Sequence, residues 1–387
     1  VARYNEPKNF LRRNRALTEK EAYDDLLSTL TKNPETLYLL YPITFSGTFG
    51  DFFVYGGLLQ ALALKVGKKK IVYICNERYK CLGVTFDGVD IHYLNAKQHE
   101  LVCSYIKKNN LFESEHYFWG WLYKKDANGK VIRDFTVPYL TEVKKNVLDI
   151  PLDAAIQAPK FIPLSSEEKF KLHSKYFINK QSTIILCPYA RSSRPLPNAE
   201  GFWKDLVTNL NKITPPNRLC IYTNVKDDSQ PVIEGTLPIS ATVQETFYIA
   251  ENSLCVIGQI SGFMQFLSMS KAKTFIVDAA LNWRYDLKLL FPFASAQQVY
   301  LTSVSALNHL KGFSSRVSKA LVGDKDHFNL DRDKFIPSQS NQDQVMGDIK
   351  SQLDYLNKVI NNKENYFADS NDSAIKFITN AVKKLIE

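Results

Sequence analysis

At 387 residues the chain exceeds what one ordinary hydrophobic core organises, and its length favours two α/β domains with a cleft between them. Hydrophobic residues at 45% and aromatics at 12% exclude a mainly disordered chain, and no apolar run reaches the roughly 20 residues that cross a bilayer. The formal charge of +9 suits a polyanionic partner, but its basic residues are scattered, with short clusters only at Arg12, Arg13 and Arg15 and at Lys68, Lys69 and Lys70, and no nucleic-acid motif surrounds them.

In chain order, residues 1–36 are a polar lead-in, helix-prone from Thr18 to Leu30 and punctuated by Asn33-Pro34. Leu37 to Ile43 predicts a strand, the following residues to Gly50 a glycine-bearing loop, and Asp51 to Val66 an apolar-faced helix. Lys70 to Cys75 and Val89 to Leu94 predict two further buried strands, the second after a Phe86-Asp87-Gly88 turn. Such a βαβ series implies a parallel sheet with right-handed crossovers, so 37–150 reads as a Rossmann-like domain. Between Phe112 and Val147, Trp119, Trp121, Tyr123 and Tyr139 crowd a stretch without a clean period, which reads as an aromatic packing layer rather than an acceptor-facing insertion.

Pro151, Pro159 and Pro163 mark 151–163 as a linker. A second Rossmann-like domain is expected over 164–340. Its strands are Thr183 to Cys187, Arg218 to Thr223, Leu254 to Ile257 and Thr274 to Val277; its helices are one capped by Asn198 and running to Ile213, then Val243 to Ala250 and Phe263 to Ser270. After Asp278 the pattern loosens, and helical stretches from Gln342 to Asn361 and from Ser373 to Ile386 close the segment 341–387. The six cysteines form no CxxC pair, and Cys75, Cys187, Cys220 and Cys255 lie in or beside apolar runs as buried thiols. A reducing compartment fits this usage, and no signal peptide opens the sequence; the cytoplasm is the expected location, with peripheral contact to an anionic membrane.

Ligands of open parallel sheets bind beyond the carboxyl ends of the strands, where helix N-termini offer free N–H groups to phosphate. Three loops there carry suitable residues. In Ser46-Gly47-Thr48-Phe49-Gly50-Asp51 the glycines allow close backbone approach, and the Asp51 carboxylate can act as a general base or simply cap its helix. The spacing is neither a Walker motif nor a dinucleotide fingerprint. In Pro188-Tyr189-Ala190-Arg191-Ser192-Ser193-Arg194 two guanidinium groups and two hydroxyls make a diphosphate clamp. In Gly258-Gln259-Ile260-Ser261-Gly262 a hydroxyl and a glycine amide stand before the next helix. No metal motif is present, and His92, His99 and His116 read as structural or exposed.

Taken in order, these loops resemble the heptosyltransferase family of GT-B enzymes, which build bacterial lipopolysaccharide cores from ADP-heptose. The resemblance rests on Gly50-Asp51-Phe52-Phe53-Val54 with Leu58-Leu59-Gln60-Ala61-Leu62, on Leu186-Cys187-Pro188-Tyr189-Ala190 leading to Phe202-Trp203, and on Val256-Ile257-Gly258 leading to Ser261-Gly262. It covers residues 37–70 and 183–278. Where the family has an acidic residue before the Ser/Thr-Gly pair and a histidine three residues after it, this chain has Ile260 and Gln265.

The resemblance implies an α/β GT-B fold, two Rossmann-like parallel-sheet domains facing a cleft, with the C-terminal helices returning to the first domain. It implies inverting transfer without a metal or other cofactor, from a nucleotide-diphosphate sugar (ADP-heptose or a related donor) to a glycan or glycolipid acceptor. Asp51 is the expected base and Ser46, Gly47, Thr48 and Gly50 form the acceptor-side loop. Arg191, Ser192, Ser193, Arg194, Thr223, Asn224, Gln259, Ser261, Gly262 and Gln265 form the donor side. A CMP-sugar transferase and a non-catalytic nucleotide-sugar-binding module are the alternatives; no nucleic acid is expected.

Overall fold

The computed structural model describes residues 17–30, 36–40, 70–109, 158–190, 198–213, 219–226, 230–278, 294–301 and 358–387, with positions 52, 53, 56, 57, 59–61, 63 and 196 and three two-residue strands at 117–118, 124–125 and 131–132. The first part of the chain runs through α1 (Glu19–Thr29), β1 (Thr36–Leu40), helical positions between 52 and 63, β2 (Lys70–Asn76), a 3-10 turn (Glu77–Leu82), β3 (Val84–Thr85), β4 (Val89–Leu94), α2 (Ala96–Lys108) and β5 (Tyr117–Phe118). Strands β1, β2, β4 and β5 form a parallel sheet in the order β4-β2-β1-β5. The aromatic stretch after Phe112 thus supplies the fourth strand at Tyr117 and Phe118, while Trp119, Trp121, Tyr123 and Tyr139 lie outside the described residues.

Strand alternation sorts this sheet into two faces. Val72, Ile74 and Leu94 pack under Ala22 and Leu26 of α1 and Val102 and Ile106 of α2. The N-terminus of α1 is closed by a capping box between Thr18 and Glu21, and Glu19 fastens α1 to α2 by accepting from Ser104 Oγ at 2.8 Å and Lys108 Nζ at 2.6 Å. On the other face Ile71, Tyr73 and Cys75 meet Phe52, Phe53 and Tyr79.

The chain continues, after the β6 (Lys124–Lys125) and β7 (Val131–Ile132) pair, into β8 (Lys160–Phe161), α3 (Ser166–Lys175), β9 (Thr183–Cys187), α4 (Ala199–Leu210), β10 (Cys220–Asn224), β11 (Leu237–Ile239), α5 (Val243–Glu251), β12 (Cys255–Gln259), α6 (Gly262–Leu267), β13 (Lys273–Asp278), β14 (Ala296–Tyr300), β15 (Tyr366–Phe367) and α7 (Asn371–Ile386). Seven of these strands make a second, all-parallel sheet in the order β11-β10-β9-β12-β13-β14-β15. Its central strands are buried on both faces, as near-continuous apolar runs demand. Ile184, Leu186, Ile257 and Phe275 face a core closed by Phe202, Trp203 and Leu206 of α4 and Ile375, Ile378 and Val382 of α7. Ile185, Val256 and Ile276 face the opposite way, into the same core that lies under the first sheet.

Four expectations change. Asn198 does stand at the N-cap of α4, but in the left-handed region (φ 48, ψ 51) and without a side-chain cap bond; its amide instead lies over Gly201, where a Cβ would meet Asn198 Nδ2 at 2.3 Å. The end of the expected linker is built into the fold: β8 pairs antiparallel with β3, Ile162 N donates to Gly83 O at 2.7 Å, and Gln244 Nε2 donates to Ile162 O at 2.6 Å. Cys220 is half-buried, whereas Cys75, Cys187 and Cys255 are buried. The closing helix α7, expected to return to the first domain, has its apolar stripe packed on α4 of the second sheet.

Candidate functional site

Each sheet has one place where strand order reverses. In the second sheet the chain proceeds from β9 outward to β10 and β11, then resumes on the other side of β9 with β12, β13 and β14, so β9 and β12 flank the switch point. In the first sheet β2 and β4 lie on one side of β1 and β5 on the other, which puts the switch point between β1 and β5. The residues that follow Leu40, Cys187 and Gln259 therefore leave carboxyl ends beside a switch point, the position at which open α/β sheets bind ligands. The third candidate loop and the described start of the second, Pro188 to Ala190, lie there.

The loop after β12 is the one described throughout. Gly258 pairs in register with Cys187, and a Cβ on it would stand 2.4 Å from Met264 Sδ and 2.9 Å from both Cβ and O of Cys187, so glycine lets α6 fold back against the strand ends. Ser261, 8% exposed, is the N-cap of α6; its Oγ accepts from Met264 N at 3.1 Å, which leaves the hydroxyl proton to donate. Gly262 and Gln265 are half-buried beside it, and Gln259 is buried at the strand end. Asp278, also buried, ends the neighbouring β13 at the same edge; sequence reasoning missed it, and its place at a strand terminus next to an apolar run was the available signal.

Thr223, expected on the donor side, lies inside the sheet. It is fully buried, and its Oγ1 is hydrogen-bonded to Thr236 Oγ1 at 2.6 Å and accepts from Ile233 N at 3.3 Å, so the hydroxyl holds the connection between β10 and β11 in place. Asn224, one residue on, is half-buried. The start of the second loop is anchored from the same side: Tyr189 Oη donates to the carbonyl of Pro231, and burial pushes the Tyr189 hydroxyl pKa up, keeping it protonated for that bond. Nothing local in the sequence ties position 189 to position 231.

Ser46, Gly47, Thr48, Gly50, Asp51, Arg191, Ser192, Ser193 and Arg194 lie outside the described residues, as does His116. His99 is buried in α2 with its Nδ1 4.0 Å from Cys103 Sγ, and His92 is half-buried with its pKa lowered by burial; both are remote from the switch points. Burial pushes the thiol pKa of Cys187, at the carboxyl end of β9, far up, so it stays neutral at the site. Among the described residues no group of three or more His, Cys, Asp or Glu side chains could hold a metal ion, and no helix is long and apolar enough to cross a membrane. A groove of about 600 Å³ runs instead along the outer edge of β4, lined by Leu30, Lys80, Thr85, His92 and Tyr93.

The fold and the site define an open α/β protein with two parallel sheets, each presenting a loop-bearing switch point. No family model matches the chain, and no curated protein matches it. Among solved structures it is similar to the glycosyl transferase family 9 protein from Veillonella parvula DSM 2008, at 9% identity over 82% of this chain and 97% of that one, with a TM-score of 0.47. It is also similar to E. coli ADP-heptose lps heptosyltransferase II, at 11% identity over 68% of this chain and 89% of that one, with a TM-score of 0.45. The wall teichoic acid polymerase TagF follows at 12% identity over 98% and 95% of the two chains, with a TM-score of 0.29.

Proposed function

We propose that this chain is a GT-B glycosyltransferase that moves a sugar from a nucleotide-diphosphate donor, held at the switch point of the second sheet, to an acceptor hydroxyl presented at that of the first. The observation that supports the reading is that the loop from Gly258 to Gly262, whose residues resemble those of the heptosyltransferases, leaves β12 at the switch point of the second sheet. Asp51 takes the proton of the acceptor hydroxyl as its oxygen attacks the anomeric carbon. The bond from that carbon to the diphosphate breaks on the opposite face, its electron pair leaves with the diphosphate, and configuration inverts. Arg191, Arg194, Ser192, Ser193 and the Ser261 hydroxyl neutralise the charge that develops there, in place of a metal. Asn224, Gln259, Gly262 and Gln265 line the donor side, and Thr223 supports it from behind.

Asp51→Asn keeps the shape of the side chain and removes its basicity. With a nucleotide-sugar pair identified by mass-spectrometric screening and assayed in excess EDTA, turnover falls by roughly 10² to 10⁴ while donor affinity and melting temperature stay near wild type. Arg191→Ala and Arg194→Ala weaken nucleotide-diphosphate binding by about 1.5 to 3 kcal/mol in calorimetry. Wild-type turnover in Asp51→Asn removes the base; full donor binding with no transfer to any acceptor favours the binding module instead. A donor set confined to CMP-sugars moves the chain to the other transferase class.

A further inference from the structure

A sheet edge offers backbone N–H and C=O groups to any further strand, and proteins blunt such edges by keeping them short or by placing proline, lysine or a bulge there. Among the described residues the two larger sheets end in four edge strands, and three are blunted in this way. Strands β5 and β15 are two residues long, and β11 is three residues long with Pro238 at its centre. The fourth is β4, which runs for six residues without proline or lysine and in unbroken register with β2, the only strand paired with it among the described residues. A groove of about 600 Å³ follows its outer side, lined by Leu30 beyond α1 and by Lys80, Thr85 and Ile162.

The residues along β4 fit a second copy of the same strand. Its register with β2 sorts them by face. Asp90 and His92 stand beside Val72 and Ile74, on the side of α1 and α2, while Val89, Ile91 and Tyr93 stand beside Ile71, Tyr73 and Cys75 on the other. An antiparallel pair with its two-fold axis at Ile91 sets Asp90 opposite the partner's His92, and His92 opposite the partner's Asp90. On the other face Ile91 meets the partner's Ile91, and Val89 meets the partner's Tyr93. An axis at Asp90 would oppose two carboxylates, and one at His92 would oppose two imidazoles and put each Asp90 against Leu94.

We propose that two copies of this chain pair edge to edge along β4, antiparallel about Ile91, and so join two four-stranded sheets into one of eight strands. The half-buried Ile91, His92 and Tyr93 complete their burial there, and the two carboxylate-imidazole pairs fix the register. β4 is the edge of the first sheet farther from the switch point between β1 and β5, so each copy keeps its own candidate site. The inference does not depend on the glycosyl-transfer reading.

Sedimentation equilibrium of the full chain, from low to high micromolar concentration, tests it. The expected result is a reversible monomer–dimer equilibrium. Ile91→Lys sets two ammonium groups face to face at the axis and raises the dissociation constant about 100-fold or more, with circular dichroism and melting temperature showing that the monomer is folded. His92→Glu opposes carboxylates and weakens the dimer about 10-fold; adding Asp90→Lys, which opposes an ammonium to each new carboxylate, restores it. Phe170→Ser, on α3 at a ring that is 72% exposed, leaves the equilibrium unchanged. If Ile91→Lys does not fold, His92→Glu and its double variant carry the test. A chain that stays monomeric throughout, a dimer that persists in Ile91→Lys or dissociates in Phe170→Ser, or a charge pair whose exchange restores nothing overturns the proposal.

Discussion

The crowding at Gly258 gives the sharpest residue-scale expectation. Two of the three atoms nearest to a methyl group at that position belong to Cys187, one of them backbone oxygen on the adjacent strand, and neither can swing away as Met264 Sδ can. Gly258→Ala therefore forces β9 and β12 apart at their carboxyl ends and costs about 1 to 3 kcal/mol, read as a lower melting temperature with weakened nucleotide binding. Gly83→Ala is a useful contrast, since its φ of 59 strains any side chain, yet the crowding atoms there belong to the flexible Gln244 amide and lie far from either switch point. At this scale the sequence was legible for local position, as with Ser261 and Gly262 at the start of a helix. It was not legible where a side chain's partner came from elsewhere in the chain: Thr223 is bonded to Thr236, and Tyr189 needs Pro231 to acquire a role.

Among the elements, α1 packs on α2 through an apolar cluster and one polar contact that titrates. The hydrogen bonds from Lys108 and then Ser104 lower the Glu19 pKa below its ordinary 4.5, so their contribution is complete above that value and is lost as the pH falls through the lower folded one. Glu19→Gln is expected to reduce the melting temperature at neutral pH, with the difference from wild type shrinking as the buffer is taken below pH 4.5. A constant difference across that range assigns the loss to packing instead. Thr183–Cys187, a continuous apolar run between turn residues, and Val89–Leu94, where apolar residues alternate with Asp90 and His92, could be read from the sequence to the residue. Those missed had no such run. Ala296–Tyr300 presents two glutamines to its neighbours, Leu237–Ile239 contains a proline at the sheet edge, and Tyr366–Phe367 is a strand only because β14 stands beside it.

For the whole molecule, the core that runs unbroken from Tyr73 beneath the first sheet to Val256 and Ile276 beneath the second predicts that the two halves melt together. Differential scanning calorimetry should give one transition whose calorimetric and van't Hoff enthalpies agree; two resolved transitions would show that this core does not couple the halves. The second sheet has a further consequence, for how the protein is made. The face of β9, β12 and β13 that carries Leu186, Ile257 and Phe275 is closed by α4 and also by α7, which is synthesised well after those strands. At about 5 to 20 residues per second, the ribosome leaves that apolar surface uncovered for several seconds after the strands themselves have emerged. A nascent chain in this interval is a substrate for hold-type chaperones, and release before α7 emerges would favour aggregation over folding.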